Sequence, residues 1–238
     1  MRYLNCFKKL FFVLSYPKKF FNWRNRVISK TEPQKNNKGS NNKATNLLFA
    51  GVGGQGVLVA SKMLVEVLLK AGFDVKKSEV HGMAQRGGSV VSQVRFGQKV
   101  YSPLIKKGEV DVLVSFEQLE TLRYLDHLHP KSFIFFNNQK ILPPSVSMGA
   151  EDYPEDVPEK LKKKFKNTFM VEGIEMAKRA GNLRALNIVL LGVLSQHLPI
   201  DEKDWIETLR EKLPAALVEV NLKAFHLGRK FATEGKTS

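Results

Sequence analysis

Cysteine is almost absent from the 238-residue chain, which holds one, Cys6. A disulfide framework is excluded, and so is a zinc or iron–sulfur site ligated by cysteines of this chain alone. No uninterrupted apolar stretch reaches the roughly 18 residues of a membrane-spanning helix. No internal repeat is visible, which argues against a solenoid or propeller. There is no HExxH metal motif, and no Ser/His/Asp set stands out by spacing. Acidic residues are nearly missing from the front of the chain: residues 1–45 carry 11 Lys or Arg and one acid, Glu32. The other 193 positions carry 27 basic and 22 acidic side chains, so most of the +15 formal charge sits in the front segment. A body at +5 is only mildly basic, and no nucleic-acid partner is expected for it.

What is present is ordinary globular material, 43% hydrophobic and 26% charged. A chain of this length buries roughly 70% of its unfolded surface and needs no staple to hold a core. Residues 1–30 are aromatic and basic, and residues 31–45 (TEPQKNNKGSNNKAT) are too polar to offset ordering entropy, so they read as a flexible linker. The body is expected to run from 46 to 238. A secretory signal fits poorly, because the run Leu10–Leu14 is five residues long and meets Pro17-Lys18-Lys19. Three readings of residues 1–30 stay open. One is a basic amphipathic anchor on Phe7, Leu10, Phe11 and Leu14, making weak membrane contact. The others are an organellar targeting segment and a dispensable or wrongly assigned start. The body itself is expected to be cytoplasmic.

The body alternates strand and helix patterns. Asn46–Ala50 is a short apolar run closed by glycine, as buried parallel strands are. Val57–Ala71 has helical spacing and ends at Gly72. Phe73–Lys77 reads as a second strand, completing a βαβ unit. Further strands are expected at Ser89–Phe96, Val110–Phe116 and Ser132–Asn137. Gln118–Leu128 reads as helix, Pro143–Pro158 as loop, and Leu161–Phe169 as a basic, partly helical stretch. Helices are expected at Ile174–Ala180, Ala185–His197, Glu202–Leu213 and Pro214–Phe231. The sum is an α/β fold, a Rossmann-like open sheet with flanking helices and a helical C-terminal part.

Two glycine-bearing turns carry the chemistry. Gly51-Val52-Gly53-Gly54-Gln55-Gly56 fits G-x-G-x-x-G between strand and helix. Glycines allow the tight turn and the close approach of a phosphate or another backbone, and the helix start offers free N–H groups. Glu79, 23 positions beyond Gly56, has nearly the spacing of an acid that binds a ribose hydroxyl. Tight packing alone would also account for the glycines. The second turn, Glu79-Val80-His81-Gly82-Met83-Ala84-Gln85-Arg86-Gly87-Gly88-Ser89, follows the second strand and is expected beside the first at the carboxyl edge of the sheet. Its Gly-Gly backbone can form an anion-holding nest, and Arg86 offers a fork of donors suited to phosphate or carboxylate. His81 can carry a proton, although a lone His is more often structural. His81 and Arg86 are the candidate catalytic residues. Met83 reads as packing.

The loop GVGGQG, then SEVHGMAQRGGSVVSQVRFG, VYSPLI and VDVLVSFEQLETLRYL, resembles the gamma-type subunits of 2-oxoacid:ferredoxin oxidoreductases, and within them the indolepyruvate branch. NIVLLGVLSQHLP and VEVNLKAFHLG are similar to that branch as well, so the resemblance spans about residues 45–231. It implies a subunit of a heteromer that oxidatively decarboxylates an arylpyruvate to acyl-coenzyme A and CO2, passing electrons to ferredoxin. It also implies that thiamine diphosphate and iron–sulfur clusters lie in a larger partner, that coenzyme A is a co-substrate, and that no cofactor is bound by this chain alone. Consistently, Asn137-Asn138 lacks the upstream GDG of a thiamine-diphosphate motif. Carried over, the cofactor-facing candidates are Gly51, Gly53, Gly54, Gln55, Gly56, Gly82, Gln85, Arg86, Gly87 and Gly88. Tyr101-Ser102-Pro103 forms a third patch. Arg86 would hold a phosphate of coenzyme A, steer the substrate carboxylate, or face the partner as an ion pair. The competing reading is a self-contained NAD- or FAD-binding oxidoreductase built on the first loop and Glu79.

Overall fold

A computed structural model describes residues 44–81 and 87–234, with only the backbone of His81. Six strands form one mixed sheet in the order β2-β3-β1-β4-β5-β6. They are β1 (Thr45–Val52), β2 (Asp74–His81), β3 (Ser89–Gly97), β4 (Val110–Ser115), β5 (Leu128–Asn137) and β6 (Thr168–Val171). The helices are α1 (Val57–Lys70), α2 (Gln118–Arg123), α3 (Pro144–Ser147), α4 (Val157–Lys164), α5 (Gly173–Ala180), α6 (Leu186–Ser195), α7 (Glu202–Lys212) and α8 (Ala215–Glu234). Among the described residues, no helix is long and apolar enough to cross a membrane.

The fold is the expected open α/β sheet with a helical C-terminal part, but its connectivity differs in one respect. β1, β4, β5 and β6 are parallel neighbours, whereas β3 runs antiparallel between β1 and β2. The β1–α1–β2 unit is therefore split by a third strand. Side-chain chemistry explains the order. SVVSQVRFG can be covered on both sides, while DVKKSEVH carries Lys76, Lys77 and Glu79 and suits a charge-protected edge. A second difference lies in the basic stretch. The helix ends at Lys164, and Thr168–Val171 forms β6, with Phe169 in register with Phe135. Four residues show no usable periodicity, so pairing with β5 decides their state. Within Pro143–Pro158, the expected loop contains the one-turn helix α3 and the start of α4.

Every residue of β1 is buried, as befits a strand covered on both faces. One face, with Leu47, Phe49, Val94, Val112, Val114 and Phe135, packs on α1 and α5–α8. The other, with Leu48, Ala50, Val91, Leu113, Ile134 and Phe136, carries a thinner cover that includes Ile105, Val157, Leu161 and Phe165. In the thick layer α6 is wholly buried and apolar apart from Asn187 and Ser195. It meets α8 backbone to backbone: a Cβ on Gly192 would lie 2.2 Å from the Phe225 carbonyl oxygen, and one on Gly228 would lie 2.1 Å from that of Val189.

Candidate functional site

The chain leaves β1 leftward through α1 and β2, and reaches β5 and β6 on the right from β4. The carboxyl ends of β1 and β4 thus form the switch point at which open α/β sheets take ligands. The first glycine turn lies there, and its glycines divide the work. Gly51 is a packing residue, because a Cβ there would lie 2.7 Å from Val57 Cγ2 and 2.8 Å from Phe116 Cβ. Gly56, left-handed at φ 82°, precedes α1, and a Cβ on it would lie 2.9 Å from Asn187 Nδ2. Gly54 is also left-handed, at φ 103°, but has open space around it. Gly53 donates its N–H to the Gly88 carbonyl at 2.8 Å. The two glycine turns are therefore joined directly, as their shared place at the sheet edge predicts. Gly87, at φ 78°, again faces open space.

Gln55 braces the turn. Its Oε1 accepts the Val52 N–H at 2.7 Å, and its Nε2 donates to the Phe116 carbonyl and to Gln139 Oε1, each at 3.0 Å. The amide thus ties the carboxyl end of β1 to the residue that follows β4. Glu79 does not join it. It pairs across the hairpin with Ser92, which faces Phe49 of β1, so it lies two strand spacings, roughly 10 Å, from β1. It also forms an ion pair with Lys77. The acid and the glycine loop of a dinucleotide site are not assembled.

Gly82, Gln85 and Arg86 and the His81 side chain lie outside the described residues, so four of the candidate contacts have no observed position. Their base is well defined. Ser89 donates its hydroxyl to Glu120 Oε2 at 2.5 Å and lies 3.4 Å from the Tyr124 hydroxyl. Glu120 is 4% exposed, and Arg123 Nε is 2.9 Å from its other oxygen. Burial raises its carboxyl above the ordinary value, against the lowering by Ser89 and Arg123. Glu117, 1% exposed, starts α2. Its Oε2 accepts the Glu120 N–H at 2.9 Å, and its Oε1 accepts the Ile141 N–H at 3.0 Å and the Tyr153 hydroxyl at 2.5 Å. Burial, and the hydrogen bond to this carboxylate, push the Tyr153 phenol up. Asn137 closes the rim, donating to the Phe116 carbonyl at 3.1 Å and accepting the Gly173 N–H at 3.1 Å. Sequence reasoning passed over Glu117, Glu120, Asn137, Gln139 and Tyr153. For the first four the available signal was polar residues placed directly after apolar strands, in FEQLE and NNQ, and Tyr153 carries no such signal.

The third patch lies elsewhere. Arg95 donates to the Ser102 and Leu104 carbonyls at 2.9 and 3.1 Å, which fastens Tyr101–Leu104 near the far end of β3. Six residues separate Arg95 from Ser89, about 20 Å of strand, so the structure does not bring Tyr101 to the glycine turns. Among the described residues, no group of three His, Cys, Asp or Glu side chains could hold a metal ion.

Residues 46–231 match the family model described as pyruvate ferredoxin/flavodoxin oxidoreductase. The chain is 41% identical over 197 residues to the indolepyruvate oxidoreductase subunit IorB of Thermococcus kodakarensis, covering 81% of this chain and 98% of that protein. The subunit of the same name in Pyrococcus horikoshii is 42% identical over 197 residues, with the same coverage. Among solved structures, the fold is similar to the 2-oxoglutarate:ferredoxin oxidoreductase of Magnetococcus marinus, at TM-score 0.63 and 23% identity. That match covers 81% of this chain and 31% of the other, longer chain.

Proposed function

The chain belongs to the pyruvate ferredoxin/flavodoxin oxidoreductase family, and on that premise we propose that it is the small subunit of an indolepyruvate:ferredoxin oxidoreductase. The observation that carries this reading is the identity of 41% over nearly the full length of a subunit named for indolepyruvate. The reaction is oxidative decarboxylation of an arylpyruvate. The C1–C2 bond breaks with release of CO2, the acyl group passes to the coenzyme A thiol, and two electrons go to ferredoxin. Thiamine diphosphate, bound in a larger cluster-bearing subunit, supplies the electron sink for decarboxylation. The body of this chain is the catalytic-type domain, which begins with β1 at Thr45, one residue before the expected boundary, and the residues before it are an appended extension.

The part assigned to this chain is a pocket wall. Gly54 and Gly87 present left-handed backbone with open space beside it, a surface to which a phosphate or a thioester-forming tail can approach closely. Gly53 and Gly88 lock the two turns into one rim. Gly82, Gln85, Arg86 and His81 belong to the same turn by sequence, with Arg86 holding a phosphate of coenzyme A or the substrate carboxylate. Gln55, Gly51 and Gly56 act behind the wall as fastenings. A self-contained dinucleotide enzyme is disfavoured, because Glu79 is two strands from the loop and is ion-paired with Lys77.

The test is reconstitution. The chain is purified alone and with the larger subunit, and indolepyruvate- and coenzyme A-dependent reduction of ferredoxin is followed. Turnover by the pair and none by either part supports the proposal. Turnover by the isolated chain, or calorimetric binding of NAD or FAD to it, overturns it.

A further inference from the structure

The helix α2 is packed inside out. It buries Gln118, Glu120 and Thr121 and leaves Leu119 and Leu122 only half-buried. A helix that serves the core alone does the reverse. Buried polar groups carry a desolvation cost, and local rules of this kind are broken where a site requires it. The three buried side chains have different tasks. Thr121 donates to the Glu117 carbonyl within the helix at 2.9 Å, and Gln118 donates to Asn138 Oδ1 at 2.8 Å. Glu120 reaches across to the second glycine turn through Ser89.

The rim opens one step at a time. The last rung of the β1–β3 ladder is Val52–Ser89. The next step is the bond from the Gly53 N–H to the Gly88 carbonyl. Beyond it stand Gly54 and Gly87, where among the described residues an added Cβ has no neighbour within 4 Å. Side chains fasten both sides of that last rung. On the β1 side, Gln55 accepts the Val52 N–H at 2.7 Å. On the β3 side, Glu120 accepts the Ser89 hydroxyl at 2.5 Å. Glu120 is itself held, with Arg123 Nε 2.9 Å from its Oε1 and its N–H donated to Glu117 Oε2 at 2.9 Å. The Ser115 hydroxyl donates to the Glu117 carbonyl at 2.9 Å, which roots α2 in the end of β4. One carboxylate therefore refers the place of the second glycine turn to the central strands. A hydroxyl bond to a carboxylate is roughly twice as strong as one to a neutral acceptor.

We propose that Glu120 is a positioning residue for the reaction: through Ser89 it holds Gly88 and Gly87 against Gly53 and Gly54 at the spacing that receives an anionic group of a substrate. That group is the carboxylate of the 2-oxoacid or a phosphate of coenzyme A. The inference rests on the functional reading above and deepens it. Buried as it is, Glu120 acts through Ser89 and not on the substrate.

The test cuts the link at the serine. Ser89→Ala removes the donor and leaves the Glu120 carboxylate with Arg123, whereas Ser89→Thr keeps a hydroxyl. Ser132→Ala is the control, because this buried serine donates to the Val110 carbonyl at 2.6 Å in the amino-terminal half of β5, away from the rim. Hydrogen exchange of the Gly53 N–H is followed in each isolated chain. KM and kcat are then measured separately for indolepyruvate and coenzyme A in complexes reconstituted with the larger subunit. For Ser89→Ala the expected result is exchange about 10-fold faster at Gly53. KM for one or both substrates should rise about 10-fold with kcat within about 2-fold of wild type, and the substrate affected identifies the anionic group. Ser89→Thr and Ser132→Ala should stay within about 2-fold of wild type in every measurement. Faster exchange with both KM values unchanged overturns the positioning role and leaves the function standing. Unchanged exchange at Gly53 overturns the clamp itself. A Ser132→Ala variant that raises the same KM reduces the effect to general loosening and overturns the proposal. A wild-type pair that reduces no ferredoxin overturns the functional reading, and the positioning role falls with it.

Discussion

Glycine does opposite work in the two halves of this molecule. In the helical layer, Gly192 and Gly228 let α6 and α8 touch through their backbones, with no room for a methyl group. At the sheet rim, Gly54 and Gly87 have left-handed backbone, and among the described residues a methyl group on either would meet nothing within 4 Å. The first pair closes space and the second leaves it open. Packing demands the former glycines, and backbone conformation the latter. A glycine motif read from sequence therefore conveys nothing definite until the neighbouring atoms are known. Within one G-x-G-x-x-G the structure contains both uses, since Gly51 packs and Gly54 does not.

The contrast is broken most severely at the helix crossing. Gly228→Ala forces a methyl group against a carbonyl oxygen, and α6 and α8 must part. Overpacking of this kind costs about 3 kcal/mol, which for a domain of this size lowers the melting temperature by roughly 6–12 °C. Calorimetry checks it, and a loss below about 2 °C would show that the crossing is looser than described.

Next in size is the brace. Gln55→Ala removes three hydrogen bonds and leaves the buried Val52 N–H without its acceptor. The expected loss is about 2–3 kcal/mol. Gln55→Glu sharpens the point, because a carboxylate keeps the acceptor for Val52 but cannot donate to the Phe116 carbonyl. It should restore little of the loss in denaturant titration, and full rescue would assign the brace to its bond with Val52 alone.

A smaller effect is expected at Glu120. Its folded-state value is raised above the ordinary 4.5, chiefly by burial. The folded form then binds the proton more tightly than the unfolded form. The contribution of Glu120 to stability is most favourable below 4.5 and declines as pH rises through the raised folded value. Melting temperature measured against pH for wild type and Glu120→Gln gives this as a difference in which other titrating groups cancel. The wild type should lose ground to the variant across that window, and a flat difference would place the Glu120 carboxylate in a solvated setting.

Much of the fold was legible because its signals are local. NLLFA closed by GVGGQG, followed by apolar positions at helical spacing in VLVASKMLVEVLLK, is readable as strand, turn and helix without a partner. The C-terminal helices announce themselves in the same way. Strand order is not local. Only the neighbours of β1 decide that SVVSQVRF lies inside and DVKKSEVH outside, and that choice moved Glu79 away from the loop. β6 was invisible because four residues next to a lysine-rich helix carry no period. At the site, the meeting of the two glycine turns followed from their common place at strand ends. Glu117 and Glu120 were passed over because a buried carboxylate is recognised by its donors, here Ser89, Ile141 and Tyr153, which lie far apart in the chain.

The central claim is that the open glycines of the rim form a wall of a site completed by another polypeptide. Its most direct test is the double variant Gly54→Ala/Gly87→Ala in the reconstituted complex, since among the described residues neither methyl group meets an atom within 4 Å. The account predicts an intact complex with kcat/KM for indolepyruvate or coenzyme A lowered about 10-fold or more, from backbone strain of order 1–3 kcal/mol at each turn. Kinetics equal to wild type for both substrates would contradict it.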